Sequence, residues 1–119
     1  MSDGLPFKVE TLLEQCGGNK DIGVVVLDEF LIQAAADTKE MADCLASGDL
    51  TQAGKAGHRL KGTAGVIGAS TLYSLCVAME IACKEGNRDE AAKILTDLNV
   101  AANRCVAAVP EVRMQLSAK

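Results

Sequence analysis

The chain has 119 residues, with 12 Lys or Arg against 16 Asp or Glu, a net charge of −4 and a single His. Hydrophobic residues at 49% and charged residues at 24% supply a core for one domain and exclude a disordered chain. The acidic balance and the 3% of aromatic residues argue against binding a phosphate backbone or stacking on bases, so nucleic acid is not an expected partner.

The chain reads as helical from end to end, because Ala, Leu, Lys, Glu and Met dominate and β-branched alternation is nearly absent. A short first helix, about Pro6 to Cys16, carries Phe7, Leu12 and Leu13, stops at Gly17-Gly18 and reads as a lid or N-terminal prop. The second helix starts near Asn19 or Asp21 and runs to about Ala46, with Leu27, Phe30, Leu31, Ala34, Thr38, Met41, Ala42 and Leu45 recurring at helical spacing. Asp49 with Gln52 has capping-box spacing and opens a third helix reaching about Ile67 before Gly68. The fourth runs from Ser70, a candidate N-cap, to Glu85, with Leu72, Leu75, Cys76, Met79 and Cys83 on one face. Asn87 with Glu90 repeats the capping pattern and opens a fifth helix, through Ala91, Ile94, Leu95, Leu98, Ala102 and Cys105, that is expected to end at Val109 before Pro110. Connections of a few residues favour antiparallel neighbours, so the expected fold is all-α: an up-and-down four-helix bundle over about 19–109 with a short extra N-terminal helix.

The five cysteines, Cys16, Cys44, Cys76, Cys83 and Cys105, lack a C-x-x-C pair and zinc-ligand spacing, and read as small core residues of a protein in a reducing cytoplasm. Nothing resembles a secretion signal, and apolar runs such as Val24 to Leu27 fall far short of the ~20 residues of a membrane span, so no membrane association is expected.

The third helix contains Gly54, Gly57, Gly62 and Gly65, each costing about 0.8–1 kcal/mol relative to Ala in a helix interior. A penalty of that size in a marginally stable fold calls for a compensating use. Projected at ~100° per residue from Leu60, the positions Ala53, Ala56, Ala64 and Ile67 fall within ~40° and form the core stripe. His58 falls at ~160°, among Gly54, Gly62 and Gly65, while Gly57 at ~60° is better explained by close helix packing. The only histidine therefore stands on the solvent face, bracketed by Lys55 at i−3 and Lys61 at i+3. Bare backbone around an imidazole lets a large partner approach it, and Lys61 can neutralise anionic charge beside it, which suits a histidine that takes and gives a phosphoryl group. Metal binding is disfavoured, because the i±3 and i±4 positions hold Gly54, Lys55, Lys61 and Gly62.

The segment Gly57-His58-Arg59-Leu60-Lys61-Gly62-Thr63-Ala64-Gly65 resembles the H-x-L-K-G-[ST]-[AS] signature of histidine-containing phosphotransfer (HPt) domains, and Gly68-Ala69 with Leu72, Cys76 and Met79-Glu80 resembles their second bundle hairpin. The resemblance implies a four-helix bundle in which His58 is the phosphoacceptor, Lys61 supports the phosphoryl group and Gly62 keeps a docking surface open. It also implies that Glu80, 22 residues beyond His58, holds the Nδ1 proton so that Nε2 attacks phosphorus. Glu80 lies at the edge of its helix's core stripe, where pairing with Lys84 at i+4 is the competing arrangement. Lys55 and Arg59 are weaker candidates for steering an acidic partner, with Gly54, Gly62 and Gly65 as the surface that partner meets.

The chain carries no P-loop or Gly-rich ATP-binding segment, so His58 is expected to receive its phosphoryl group from another protein, which makes the chain a phosphocarrier and not an ordinary enzyme. The implied partners are response-regulator receiver domains and a hybrid sensor histidine kinase, with Mg²⁺ on the receiver, no cofactor of its own and a monomeric state. Three other readings stay open at this point: a phosphotransfer domain phosphorylated directly by a chemotaxis-type kinase, a non-catalytic helical adaptor for receivers, and a cysteine-based redox role.

Overall fold

The computed structural model describes residues 5–117, in which five helices follow one another: α1 (Val9–Gln15), α2 (Lys20–Ser47), α3 (Leu50–Ile67), α4 (Ser70–Lys84) and α5 (Arg88–Ser117). Each of α2 to α5 packs against its neighbour in sequence, and α5 closes the ring on α2, which makes an antiparallel four-helix bundle. The short α1 lies against α3 and α2 at one end. The core runs along the bundle axis through Leu27, Phe30 and Met41 of α2, Leu60 and Ile67 of α3, Leu72 and Met79 of α4, and Leu98 and Val109 of α5.

The connections are short because single residues both stop one helix and start the next. Gly48 adopts the left-handed conformation at φ 84°, the Asp49 N–H donates to the Cys44 carbonyl at 2.8 Å, and Asp49 Oδ1 accepts from the Gln52 N–H at 3.1 Å. Only half of the expected capping box forms there, since the Gln52 side chain turns to Glu40 instead. Gly68, at φ 73°, ends α3 with two constraints at once: the left-handed backbone and the approach of α1, whose Thr11 Cβ would lie 2.8 Å from any added Cβ. Ser70 is the first residue of α4 and not its cap; Ala69 precedes it without a side-chain capping bond.

Two expected boundaries move. The first helix begins at Val9, not Pro6, because Phe7 is buried in the core and the Lys8 N–H donates to the Ile67 carbonyl at 3.1 Å, which holds residues 5–8 against the end of α3. The last helix does not stop at Val109 but runs through Pro110 to Ser117. A proline there removes one backbone hydrogen bond, yet Val112 and Leu116 on the far side are buried, with Leu116 against Gly23 of α2. Burying those two side chains offsets the lost bond, so tertiary packing overrides the local stop signal. Within α2, Ala42 faces solvent, whereas Asp37 takes an inward position.

Candidate functional site

His58 occupies the middle of α3 with its side chain 67% exposed. The α4 helix places Glu80 opposite, and Glu80 Oε2 lies 3.0 Å from His58 Nδ1. The other carboxylate oxygen, Oε1, lies 2.8 Å from Lys61 Nζ. Glu80 therefore pairs with His58 and Lys61 across the helix interface, and the alternative pairing with Lys84 is not formed. Burial opposes ionisation of Glu80, but the hydrogen bonds from Lys61 and His58 outweigh it and hold the carboxyl below its ordinary pKa. The same contact raises the pKa of Lys61. An ionised carboxylate only accepts hydrogen bonds, so Nδ1 carries a proton, and in the neutral ring the lone pair is left on Nε2.

A groove of about 860 Å³ opens beside the imidazole between α3 and α4. Leu50, Val77 and Ile81 give it apolar walls, and Lys55 and Lys84 stand exposed on its rim. The sequence pattern singled out Lys55, named Lys84 only as a competing partner for Glu80, and did not mark the apolar wall residues, whose only signal was their spacing on the outer faces of α3 and α4.

The glycines divide by their surroundings more sharply than their projection suggested. Nothing lies within 4 Å of a Cβ built on Gly62, one turn from His58, so this stretch of surface is open. Gly57 packs as expected, with Met79 Cγ 3.2 Å from an added Cβ. Gly54 packs too: Cys83 Cβ would lie at 3.2 Å, which makes it part of the groove floor and not of a free surface. A Cβ added at Gly65 would lie 3.5 Å from the Tyr73 ring, and Gly65 lines a separate cavity with Lys8 and Thr11, away from the His58 groove.

Arg59 departs most from expectation. Its guanidinium is turned to α2, with Nε donating to Asp37 Oδ1 at 3.1 Å and Nη2 lying 2.8 Å from Glu40 Oε1. Both carboxylates raise its pKa, and neither leaves it a free cation for an acidic partner. Asp37 and Glu40 were missed at the level of sequence, although an Asp at the helical interval between Ala34 and Met41, on an otherwise apolar stripe, was a legible signal.

Burial pushes the Cys76 thiol up to about 12 and the Cys105 thiol to about 11, and raises Cys83 and Cys44 as well. Thiols so raised are not nucleophiles near neutral pH, which removes the basis for redox chemistry at these four positions. Among the described residues, no group of three or more His, Cys, Asp or Glu could hold a metal ion, and no helix is long and apolar enough to cross a membrane.

The family model for the Hpt domain matches residues 25–117. The fold is similar to that of histidine-containing phosphotransfer protein B from Pseudomonas aeruginosa PAO1, with a TM-score of 0.85 and 18% identity over 92% of this chain and 95% of that one. It is also similar to the HPT domain of a sensor hybrid histidine kinase from Shewanella, with a TM-score of 0.82 and 21% identity over 95% of this chain and 97% of that one. No match is found among curated protein sequences. With its bundle and its match over all four long helices, the chain belongs to the Hpt domain family, the histidine phosphotransfer proteins of two-component phosphorelays.

Proposed function

We propose that His58 is the phosphohistidine of this chain, accepting a phosphoryl group from a phosphoaspartate on one receiver domain and passing it to the aspartate of another. One observation carries the reading: the only histidine in the chain is exposed in mid-helix, with Nδ1 engaged by Glu80 and no second protein bond to the ring among the described residues. In the forward step the Nε2 lone pair attacks phosphorus in line, the N–P bond forms as the acyl-phosphate P–O bond breaks, and the aspartate leaves as a carboxylate. The ring becomes cationic, and Glu80 stabilises that charge through Nδ1–H. Lys61, on a flexible stem beside the ring, exchanges Glu80 for a phosphoryl oxygen, and the open backbone at Gly62 admits the receiver surface. The groove beside His58, with Gly54 in its floor and Lys55 on its rim, takes the rest of that surface.

The Mg²⁺ that assists such transfer is expected on the receiver, and no cofactor is assigned to this chain. The donor is expected to be the receiver of a hybrid sensor histidine kinase and the acceptor a response regulator, with the chain acting as a monomeric carrier in a reducing cytoplasm and without ATP of its own. The test is incubation with a phosphorylated receiver followed by assay for acid-labile, base-stable label. Wild type is expected to take the label and His58→Gln to take none; equal labelling of the two proteins would overturn the assignment.

A further inference from the structure

Asp37 is the one charged side chain buried among the described residues, 1% exposed, and it lies outside the His58 groove. Its Oδ2 accepts from Gln33 Nε2 at 2.9 Å and its Oδ1 from Arg59 Nε at 3.1 Å. Arg59 Nη2 continues to Glu40 Oε1 at 2.8 Å, and Glu40 Oε2 accepts from Gln52 Nε2 at 2.9 Å. A continuous polar chain from Gln33 to Gln52 thus joins α2 to α3 along the flank of α3 opposite Glu80, passing through Arg59, the residue next to His58.

A buried ion pair contributes little net stability compared with well-packed apolar residues, so its value lies in fixing geometry. The α3 helix needs such fixing. Ala53, Gly54, Ala56, Gly57 and Ala64 give its packed faces few large side chains to interlock with its neighbours, leaving Leu60 and Ile67 as the principal knobs. The His58 ring lies roughly 6 Å from the helix axis, so a rotation of ~20° would move it by ~2 Å, enough to break its 3.0 Å bond to Glu80. The planar guanidinium, held by two carboxylates in fixed directions, opposes that rotation.

We propose that Asp37, acting through Arg59, is a positioning residue for His58: the Asp37–Arg59–Glu40 chain sets the rotation of α3 so that Nδ1 stays on Glu80. Its functional meaning rests on His58 being the phosphoacceptor, but the ring's protonation pattern reads the positioning independently of phosphotransfer. The experiment compares wild type with Asp37→Leu/Arg59→Met, which removes the network without leaving a buried charge unpaired, and with Arg59→Lys, a substitution at a half-exposed site that cannot hold both carboxylates through one planar fork. Imidazole ¹⁵N NMR reports which nitrogen carries the proton, circular dichroism reports the fold, and label uptake from a phosphorylated receiver reports function. Wild type is expected to hold the proton on Nδ1 alone. Both variants are expected to stay helical with two tautomers populated, and the double variant to lose about tenfold in uptake rate. A single Nδ1–H tautomer and wild-type uptake in both folded variants would overturn the proposal. A tautomer mixture in the variants, alongside a wild type that takes no label, would support the positioning role and overturn the phosphocarrier assignment instead.

Discussion

Glu80 bonds His58 Nδ1 with one carboxylate oxygen at 3.0 Å and forms an ion pair with Lys61 Nζ through the other at 2.8 Å, so a single anion orients the imidazole and tethers the neighbouring cation. Glu80→Ala is therefore expected to lower label uptake about 10–100-fold, the usual cost of removing a group that orients a functional histidine, while Glu80→Gln, which keeps an acceptor for Nδ1–H, loses less. Initial rates with a phosphorylated receiver measure both. The pH dependence has a definite sign. Despite the opposing effect of burial, the folded-state pKa of Glu80 lies below its ordinary value of 4.5, so its stabilising contribution is present above that value and disappears as pH falls through the folded pKa. The raised pKa of Lys61 closes the window on the alkaline side, where the contribution is lost as pH rises beyond 10.5. Thermal unfolding of wild type and Glu80→Gln should differ at neutral pH and converge in acid; an equal difference at both would contradict the pairing.

How far the sequence could be read depended on the range of the interaction involved. Periodicity and caps are local, which is why Asn19, Asp49 and Asn87 marked the helix starts they occupy, and why His58 could be placed opposite the Leu60 stripe. The extension of α5 beyond Pro110 depends on Leu116 meeting Gly23, a contact between distant parts of the chain that no local rule contains. The direction of Arg59 had the same origin. Its charge was visible in the sequence, but the two carboxylates that neutralise it come from α2, 22 residues away in the case of Asp37.

Two glycines of α3, Gly62 and Gly54, should respond in opposite directions to the same substitution. Gly62→Ala adds a methyl group in open space within a regular helix and should stabilise the fold by about 0.8–1 kcal/mol. Gly54→Ala meets Cys83 Cβ at 3.2 Å, an atom fixed to its own backbone, and should destabilise despite the gain in helix propensity. Gly62→Leu should remain folded and bind a receiver less well, since it fills the surface beside His58. Denaturant unfolding and receiver titration check the series; a Gly62→Leu protein that is folded and transfers at the wild-type rate would sink the docking role of that position.

Pro110 is exposed inside a continuous helix. Replacing it by Ala restores a backbone donor and removes the ring's clash with the preceding turn, so Pro110→Ala should raise stability by up to about 3 kcal/mol. Because Val112 and Leu116 already lie in the core, the helix need not reorganise to realise this gain. A melting temperature several degrees higher, with unchanged receiver binding, is the expected result; a fall would show that α5 relies on a bend at this residue.

Electrostatic steering should reside in Lys55 and Lys84 and not in Arg59. Both lysines are exposed on the rim of the His58 groove and make no ion pair among the described residues, whereas Arg59 is held by Asp37 and Glu40. A receiver presenting acidic groups around its phosphoaspartate would be drawn to the lysines over roughly the Debye length, ~10 Å at 0.1 M salt. Lys55→Glu/Lys84→Glu is therefore expected to slow association about tenfold at low ionic strength, with the difference from wild type closing as salt is raised toward ~1 M, where the Debye length falls to ~3 Å. Asp37→Leu/Arg59→Met, which removes one positive and one negative charge together and so keeps the net charge, should leave the salt dependence of the association rate as in wild type. Stopped-flow association at several salt concentrations separates the two cases, and an equal loss of salt dependence in Asp37→Leu/Arg59→Met would return the steering role to the arginine.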